Sequence, residues 1–273
     1  MGVVLGLLGA AVLVLVQVTV EPSGWGQASA VESVAGGEGE DETGRRVVRV
    51  LAGVGGEVGG GFGLVVDEQP VIGGTSAELL VVKVVDYTCR ECRAVSGRLE
   101  ELRGLAATQG LSVGGVVRPV EIGVIVVHTP LSHRCNPNFS STPERYAEAC
   151  ELARLALAVF MAERSGQAAA GSFAGVHRWL MAESRTAAAA RAEVETRIGG
   201  SVMERWVVHP WIEERLALGA ALLERSYETD AEGRLPQLYL GDLLLIGRPT
   251  VEQMRERVEE VLGGGGAGAE APR

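Results

Sequence analysis

The sequence is short of basic residues and very short of aromatic ones. Its 25 Lys and Arg residues are outnumbered by 35 Asp and Glu residues, so the formal net charge is -10. Phosphates would repel such a chain, which argues against a nucleic-acid-binding function. Aromatic residues make up 4% of the chain, so the core has to be built mainly from Val, Leu and Ala. At 273 residues the chain is still long enough to bury a sizeable core.

Lysine is the scarcest charged residue type. Lys83 is the only lysine, and it interrupts the apolar stretch Leu79–Val85. That stretch is too short for a typical helix and is rich in β-branched residues, so we predict a strand that is buried on both faces. A buried lysine tends to lose its proton, which makes Lys83 a candidate functional residue. In the alternative interpretation its side chain extends to solvent and has no role.

Cysteine is scarce as well, with four residues in the chain. Cys89 and Cys92 form a Cys-x-x-Cys motif, which occurs in redox dithiols and in halves of zinc sites. A zinc site needs a second Cys or His pair at similar spacing, whereas Cys135 and Cys150 are far apart in the sequence. We therefore predict a redox dithiol and no metal, with a zinc half-site as the alternative.

The Cys-x-x-Cys motif lies between the predicted strand and a predicted helix. After Cys92, apolar residues recur at helical spacing with Arg and Glu between them. Cys89 is thus expected at the helix N-terminus, where free backbone N–H groups and the helix dipole lower the pKa of a thiol. We predict that Cys89 attacks or is attacked, and that Cys92 resolves the mixed disulfide.

Residues 86–93, Asp-Tyr-Thr-Cys-Arg-Glu-Cys-Arg, resemble the active-site segment of the DsbA-like branch of the thioredoxin superfamily, whose members commonly read Asp-Tyr-x-Cys-Pro-x-Cys. More distant segments resemble the family in the same order, namely 70–77, 122–131, 146–180 and 235–247. The similarity covers about residues 70–262. It implies an α/β fold with a thioredoxin-like central sheet and a helical insertion. It also implies thiol-disulfide exchange with protein thiols and disulfides, which needs no cofactor.

The resemblance assigns roles outside the dithiol too. Leu235-Pro236 matches the cis-proline loop, in which the proline faces the dithiol and the preceding residue pairs its backbone with an extended substrate. Lys83 stands where thioredoxin-like proteins usually place a buried acid that accepts the proton of the inner thiol. A neutral Lys83 would act as that base, whereas a charged one would stabilise a thiolate. The predicted site therefore includes Lys83, Leu235 and Pro236.

Two departures from the family bear on mechanism. Arg90 and Glu91 separate the cysteines, whereas strongly oxidising relatives carry Pro-His there. A carboxylate at this place should raise the thiol pKa and make the disulfide a weaker oxidant, an effect that Arg90 offsets only in part. Leu235 replaces the Thr or Val that the family often has, so substrate access should differ. An oxidant, a reductase and an isomerase all stay open.

Cys135 and Cys150 bracket a loop that leads into a predicted helix. A disulfide between them would contribute on the order of 3 kcal/mol in an oxidising compartment. Family members with a Pro-Leu-x-x-x-Cys-Asn segment and a following Ala-Cys helix look similar here, which implies a structural disulfide. Two free thiols, or a second redox pair, are the alternatives. His128 and His133 lie just before this loop, and we interpret them as surface residues without a role.

The N-terminal residues are predicted to lie outside the folded domain. Residues 2–20 are apolar except for a Gln and a Thr, which suits a membrane-spanning helix or a signal sequence. No Lys or Arg precedes this run, although Ala28-Ser29-Ala30 resembles a signal cleavage site. We expect a retained anchor at 1–20; a cleaved signal and a buried core helix are the alternatives. Residues 21–44 are predicted to be a flexible linker.

Residues 45–262 are predicted to form the thioredoxin-like domain. Short strands at 45–51 and 63–66 flank a glycine run that lacks the Gly-Lys-Ser/Thr ending of a phosphate loop. The helical insertion is expected at about 143–227, with breaks at 166–171, 199–200 and 209–210. Residues 263–273 are predicted to be a disordered tail.

Three tryptophans of the insertion, Trp179, Trp206 and Trp211, are candidates for a peptide groove. Burial in the core is the commoner use of an indole, and we favour it for all three.

These predictions combine into an extracytoplasmic, membrane-tethered thiol-disulfide oxidoreductase. A membrane partner, quinone-linked or of the vitamin K epoxide reductase type, would reset its dithiol. The alternatives are a disulfide reductase or isomerase, and a non-catalytic peptide-binding module of thioredoxin-like fold. An accessible Cys89 sulfur would favour the enzyme, and a buried one would favour the module.

Overall fold

The computed structural model describes residues 38–50, 62–227, 233–241 and 243–263. The strands in these residues are β1 (Glu38–Glu40), β2 (Arg46–Val50), β3 (Phe62–Val65), β4 (Val71–Ile72), β5 (Leu79–Val85), β6 (Leu111–Val113), β7 (Val116–Arg118), β8 (Ile122–His128), β9 (Gln237–Leu240) and β10 (Leu243–Ile246). The α-helices are α1 (Arg90–Thr108), α2 (Ala149–Arg164), α3 (Ser172–Ala182), α4 (Ala187–Ile198), α5 (Gly200–Val207), α6 (Pro210–Ser226) and α7 (Val251–Leu262).

Several predictions concern segments that the structure does not describe. The hydrophobic segment 1–20, the glycine run at 53–61 and the tail from residue 264 onwards lie outside the described residues. No helix in the described part of the chain is long and apolar enough to cross a membrane. The predicted linker 21–44 is described only from residue 38, and there it is not a linker, because β1 pairs with β2 and a tight turn at Asp41–Gly44 joins the two strands.

The central sheet has five strands in the order β10-β9-β5-β8-β4. β5 and β8 run parallel, and β9, β10 and β4 are antiparallel to their neighbours. Every residue of β5 and β8 is buried, and for β5 this confirms the strand predicted at Leu79–Val85. The α/β class and the strand before the dithiol are thereby confirmed.

The two faces of β5 contact different layers. Val81 and Val85 belong to the core shared with α1, α2 and α3, whereas Val82 and Val84 belong to a second core that includes residues of β2, β3 and α6. Side chains alternate along a strand, so Lys83 points to the same face as Val81 and Val85. The strand therefore carries Lys83 into the layer that also holds the start of α1.

Helices α2 to α6 occupy the predicted insertion. Helix α2 is central, because α3, α4, α5 and α6 all pack against it. The predicted breaks coincide with helix ends, and a further break at residues 183–186 separates α3 from α4. Helix α2 begins at Ala149, later than the predicted start near Pro143, because residues 144–146 form a 3₁₀ turn instead.

The connection at residues 109–119 contains a hairpin of β6 and β7. Gly114 and Gly115 both have positive φ values, 60° and 82°. Two-residue hairpin turns of type I′ require this conformation, and glycine adopts it without strain. Strands β9 and β10 form another antiparallel pair, at the edge of the central sheet.

Cys135 and Cys150 form a disulfide with a Cα–Cα distance of 5.9 Å. It joins the loop after β8 to the first turn of α2. The side-chain amide of Asn136 donates a hydrogen bond to the carbonyl of Pro130 over 3.0 Å, so the loop is tied at its start as well. The disulfide therefore closes a loop that the Asn136 hydrogen bond already holds near the end of β8.

Replacing both Cys135 and Cys150 by Ala should lower the free energy of unfolding by about 3 kcal/mol, because the disulfide spans a separation of 15 residues. Urea denaturation in a Cys89→Ala/Cys92→Ala background would measure the loss without interference from the dithiol. In that background, reducing the remaining disulfide with dithiothreitol should give a similar loss. An unchanged midpoint on reduction would contradict the prediction.

Candidate active site

Cys89 is the N-cap residue of α1. Its backbone is extended, with φ -75° and ψ 116°, and its Sγ accepts the backbone N–H of Cys92 over 3.2 Å. The relative exposure of Cys89 is 6%, and that of Cys92 is 0%. The sulfur at the helix start thus borders the surface, whereas the sulfur one turn later is enclosed.

The two thiols have opposite electrostatic settings. The hydrogen bond from the Cys92 side chain, followed by that from the Cys92 backbone N–H, lowers the pKa of Cys89, while burial and the charges of Asp86 and Glu91 oppose this shift. Burial first, and then the hydrogen bond and charge of Cys89, raise the pKa of Cys92 well above its ordinary value. The dithiol therefore ionises at Cys89 and keeps its proton at Cys92.

Asp86 holds the turn between β5 and α1. Its carboxylate accepts the backbone N–H and the hydroxyl of Thr88 over 2.6 and 2.5 Å, and the backbone N–H of Leu131 over 2.6 Å. The backbone carbonyl of Asp86 accepts the N–H of Cys89 over 3.2 Å. Asp86 belongs to the motif around the dithiol but had no predicted role; in the structure it anchors the Cys89 turn.

A groove of about 460 Å³ opens beside Cys89. Leu235 lines it, and the Leu235-Pro236 peptide bond is cis, as the resemblance implied. Its aromatic residues are Phe139, Tyr146 and Tyr227. No sequence signal pointed to these three residues, because the connection between β8 and α2 contributes two of them and the end of α6 the third, and only the fold brings these segments together.

The three tryptophans lie away from this groove. Trp211 is buried and stacks on Phe160. Trp179 packs under the guanidinium of Arg185, and the indole N–H of Trp206 donates to the side chain of Gln167. The core interpretation holds for Trp211, and the other two pack at the edge of the helical insertion.

Lys83 is 1% exposed, so the interpretation in which it extends to solvent is wrong. Its Nζ lies 3.1 Å from the hydroxyl of Ser96, and that hydroxyl donates to the carbonyl of Cys92 over 2.8 Å. Burial lowers the pKa of Lys83 from 10.5 to about 8, against the opposing charges of Glu100 and Cys92. Lys83 is thus linked through one hydroxyl to the backbone carbonyl of the second cysteine, and its pKa of about 8 lies close to neutral pH.

A buried chain of hydrogen bonds continues from Lys83. Lys83 Nζ lies 2.8 Å from His177 Nε2, His177 Nδ1 lies 2.9 Å from the hydroxyl of Tyr87, and the same hydroxyl lies 2.9 Å from His128 Nε2. All four residues are buried. We call them the polar chain. The interpretation of His128 as a surface residue is therefore wrong, whereas His133 is exposed and contacts Thr142.

The remaining cysteines bear on the zinc alternative. Cys135 and Cys150 are joined to each other, so they do not complete a four-cysteine site with the dithiol. Across the described ranges, no group of three or more His, Cys, Asp or Glu side chains is placed to hold a metal ion.

No protein-family model matches the sequence, and no curated protein matches it either. The structure is similar to that of ScsC from Proteus mirabilis in a compact conformation, with 18% identity and a TM-score of 0.51 over 72% of this chain and 74% of that one. It is also similar to the thiol-disulfide exchange protein alpha-DsbA2 from Wolbachia pipientis, with 17% identity and a TM-score of 0.50 over 71% of this chain and 87% of that one.

Sequence identities this low establish the fold alone. The chain therefore shares its fold with these two proteins. In this chain that fold comprises the central sheet, the helical insertion between β8 and β9, and the cis Leu235-Pro236 bond, whose leucine lines the groove beside Cys89.

Proposed function

We propose that the protein is an extracytoplasmic thiol-disulfide oxidoreductase that acts on protein thiols and disulfides. The observation that carries the proposal is the placement of Cys89 at the helix N-terminus, beside a groove. There its sulfur accepts a hydrogen bond from the backbone N–H of Cys92. This arrangement separates a nucleophilic thiolate from a protonated partner one turn away. The name of one structural neighbour, a thiol-disulfide exchange protein, agrees with it.

The proposed chemistry proceeds in two exchanges. In the oxidising direction, a substrate thiolate attacks Cys89 Sγ, the Cys89–Cys92 bond breaks, and Cys92 leaves with the electron pair and takes up a proton. A second substrate thiolate then attacks the substrate sulfur, and Cys89 leaves as a thiolate. The reducing direction reverses both steps, so that Cys89 attacks a substrate disulfide and Cys92 resolves the mixed disulfide.

Three further residues have proposed roles in these exchanges. Lys83 interacts electrostatically with Cys92, and the Ser96 hydroxyl ties its Nζ to the Cys92 backbone carbonyl; it would exchange a proton with the Cys92 thiol. The backbone of Leu235, held beside Cys89 by the cis bond to Pro236, would pair with an extended substrate segment. The Cys135–Cys150 disulfide would be structural, because it braces the loop that carries Phe139 at the edge of the groove.

The proposed location rests on two features of the chain. The apolar run at residues 2–20 suits an anchor or a signal, and a disulfide such as Cys135–Cys150 persists mainly in oxidising compartments. The proposed electron partner is a membrane protein that resets the dithiol, quinone-linked or of the vitamin K epoxide reductase type. The dithiol itself needs no cofactor for the exchange.

A non-catalytic peptide-binding module is the second candidate, and one observation favours it. The exposure of Cys89 is only 6%, which restricts attack to the side that faces the groove. In such a module the groove would capture a peptide while the cysteines stay inert.

Redox titration against glutathione, in a Cys135→Ala/Cys150→Ala variant, tests the enzyme against the module. We expect the Cys89/Cys92 pair to exchange and to give a defined potential. A value near -180 mV or less negative would assign a disulfide donor, and one near -270 mV a reductant. A pair that never exchanges with glutathione would exclude the oxidoreductase function and favour the peptide-binding module.

Changing Glu91→Gln should make the dithiol more oxidising, because the charge of Glu91 raises the pKa of Cys89. One pKa unit corresponds to about 30 mV for a two-electron couple. We expect a smaller shift than this towards less negative potentials, because the charge of Glu91 is the weakest of the influences on the Cys89 pKa. Glu101→Gln, on the exposed side of the same helix, is the matched control and should leave the potential in place.

Changing Cys92→Ser should trap Cys89 as a stable mixed disulfide with glutathione, whereas Cys89→Ser should give no adduct, because Cys92 is enclosed and keeps its proton. Mass spectrometry of the intact chain after mixing with oxidised glutathione distinguishes the two. Adducts on Cys92 in the Cys89→Ser variant would reverse the assignment of the two thiols.

Changing Lys83→Met should slow the resolution of the Cys89–glutathione adduct at neutral pH by about 100-fold, because an internal base of this kind typically contributes 10²–10⁴. The rate should recover as the pH rises, because hydroxide then removes the Cys92 proton. Quenched-flow mass spectrometry gives the rate, and urea denaturation shows whether the variant is folded. A folded variant with a wild-type rate and pH profile would exclude Lys83 from the reaction.

A further inference from the structure

The polar chain presents an unusual problem of charge. Among the described residues no carboxylate forms a salt bridge with Lys83, and its hydrogen-bond partners are the neutral groups Ser96 and His177. The nearby carboxylate of Glu100 is paired with Arg103 over 2.9 and 3.0 Å. An ammonium group in the core is costly without compensation. Some other feature must compensate for the charge of Lys83 when it holds a proton.

The hydrogen-bond directions around a protonated Lys83 follow from the geometry. The hydroxyl of Ser96 donates its hydrogen to the backbone carbonyl of Cys92, so its oxygen accepts from Lys83. Lys83 has no lone pair when it is charged, so it also donates to His177 Nε2, which places the proton of that ring on Nδ1. His177 Nδ1 then donates to Tyr87, and the Tyr87 hydroxyl donates to His128 Nε2.

All the dipoles of the polar chain therefore point the same way. The N–H or O–H bond of each donor points away from the ammonium group. The negative end of each dipole is therefore turned towards the ammonium group. Hydrogen bonds in series polarise one another, and the effect is larger in a low-dielectric interior. The three residues behind Lys83 thus supply negative potential without a formal charge.

The histidines themselves do not hold the proton. Burial, followed by the charge of Lys83, lowers the pKa of His128 to about 3 and that of His177 well below its ordinary value. Both rings are neutral at neutral pH. The titratable and charged groups around Lys83 are Cys92, Glu100 and Arg103 from α1, His177 and Arg178 from α3, Tyr87 from the turn after β5, and His128 from β8.

We propose that His177 is a positioning residue that, with Tyr87 and His128 behind it, replaces a counter-ion for Lys83 and sets the pH at which Lys83 exchanges a proton with Cys92. The reaction it supports rests on the proposed function. In the resolution of a Cys89–glutathione adduct, Lys83 Nζ takes the proton of Cys92 and the Cys92 sulfur forms a bond to Cys89. The bond from Cys89 to glutathione breaks, and its electron pair leaves on the glutathione thiolate.

The single lysine makes a direct test simple. Labelling an untagged full chain with ¹⁵N- and ¹³C-enriched lysine gives one side-chain signal, and its titration by NMR follows the proton on Lys83. Tyr87→Phe removes the acceptor for His177 Nδ1–H, so the proton on Lys83 is held less tightly. We expect its midpoint to fall by about one pH unit, a tenfold loss of proton affinity.

Two variants provide the controls. Tyr239→Phe also removes a buried tyrosine hydroxyl, one that donates to Gln237 outside the polar chain, and should leave the Lys83 midpoint in place. His177→Gln retains an acceptor for Lys83 and should shift the midpoint less than His177→Leu, which retains none. The pH profile of glutathione release, measured by quenched flow, should move in the same direction and order.

The outcomes separate this inference from the proposed function. If the Lys83 midpoint is the same in Tyr87→Phe, His177→Leu and the wild type, and all are folded by urea denaturation, the inference is wrong. If the midpoint moves but the pH profile of release does not, the inference is also wrong, because Lys83 is then not coupled to Cys92. If the wild type never exchanges with glutathione, the proposed function fails, and with it the catalytic part of the inference.

Discussion

The site depends on the burial of β5 on both of its faces. A strand covered on one side would leave Lys83 free to reach water or would tolerate a shift in register, whereas β5 is fixed between β8 and β9 and is enclosed by two layers. Its alternation sends Lys83 towards α1, and its end delivers Asp86 to the turn that seats Cys89. One strand thus positions both the Cys89 thiol and the buried amine of Lys83.

A lysine in this core changes the usual electrostatic argument. A buried acid gains from the loss of its charge when it takes a proton, but a buried lysine gains from giving its proton up. The polar chain reduces that gain because its dipoles favour the ammonium form. The proton affinity of Lys83 is therefore a balance between burial and three oriented neutral groups, and each of the three is open to change without touching the cysteines.

The sequence predicted the parts of the site that depend on local spacing. The strand at Leu79–Val85 and the N-cap position of Cys89 both follow from residues a few positions apart, and the structure has each of them. The polar chain joins residues separated by 41 to 94 positions, and no local pattern indicates such contacts. The β6–β7 hairpin was predictable from its two glycines, because an adjacent pair of glycines suits a two-residue hairpin turn. The aromatic groove residues could not be predicted from the sequence, since the β8–α2 connection and the distant end of α6 contribute them.

The enclosure of Lys83 also has a consequence for the chemical labelling of this protein. Acylating reagents that modify lysine require an accessible amine, and the single side-chain amine of the chain lies inside the folded core. Cross-linkers directed at lysine would thus fail to attach this domain to its neighbours through a side chain. Conversely, acylation of Lys83 would show that the central sheet has opened. Because Lys83 is the only lysine, its acylation rate measures local unfolding at a single known position.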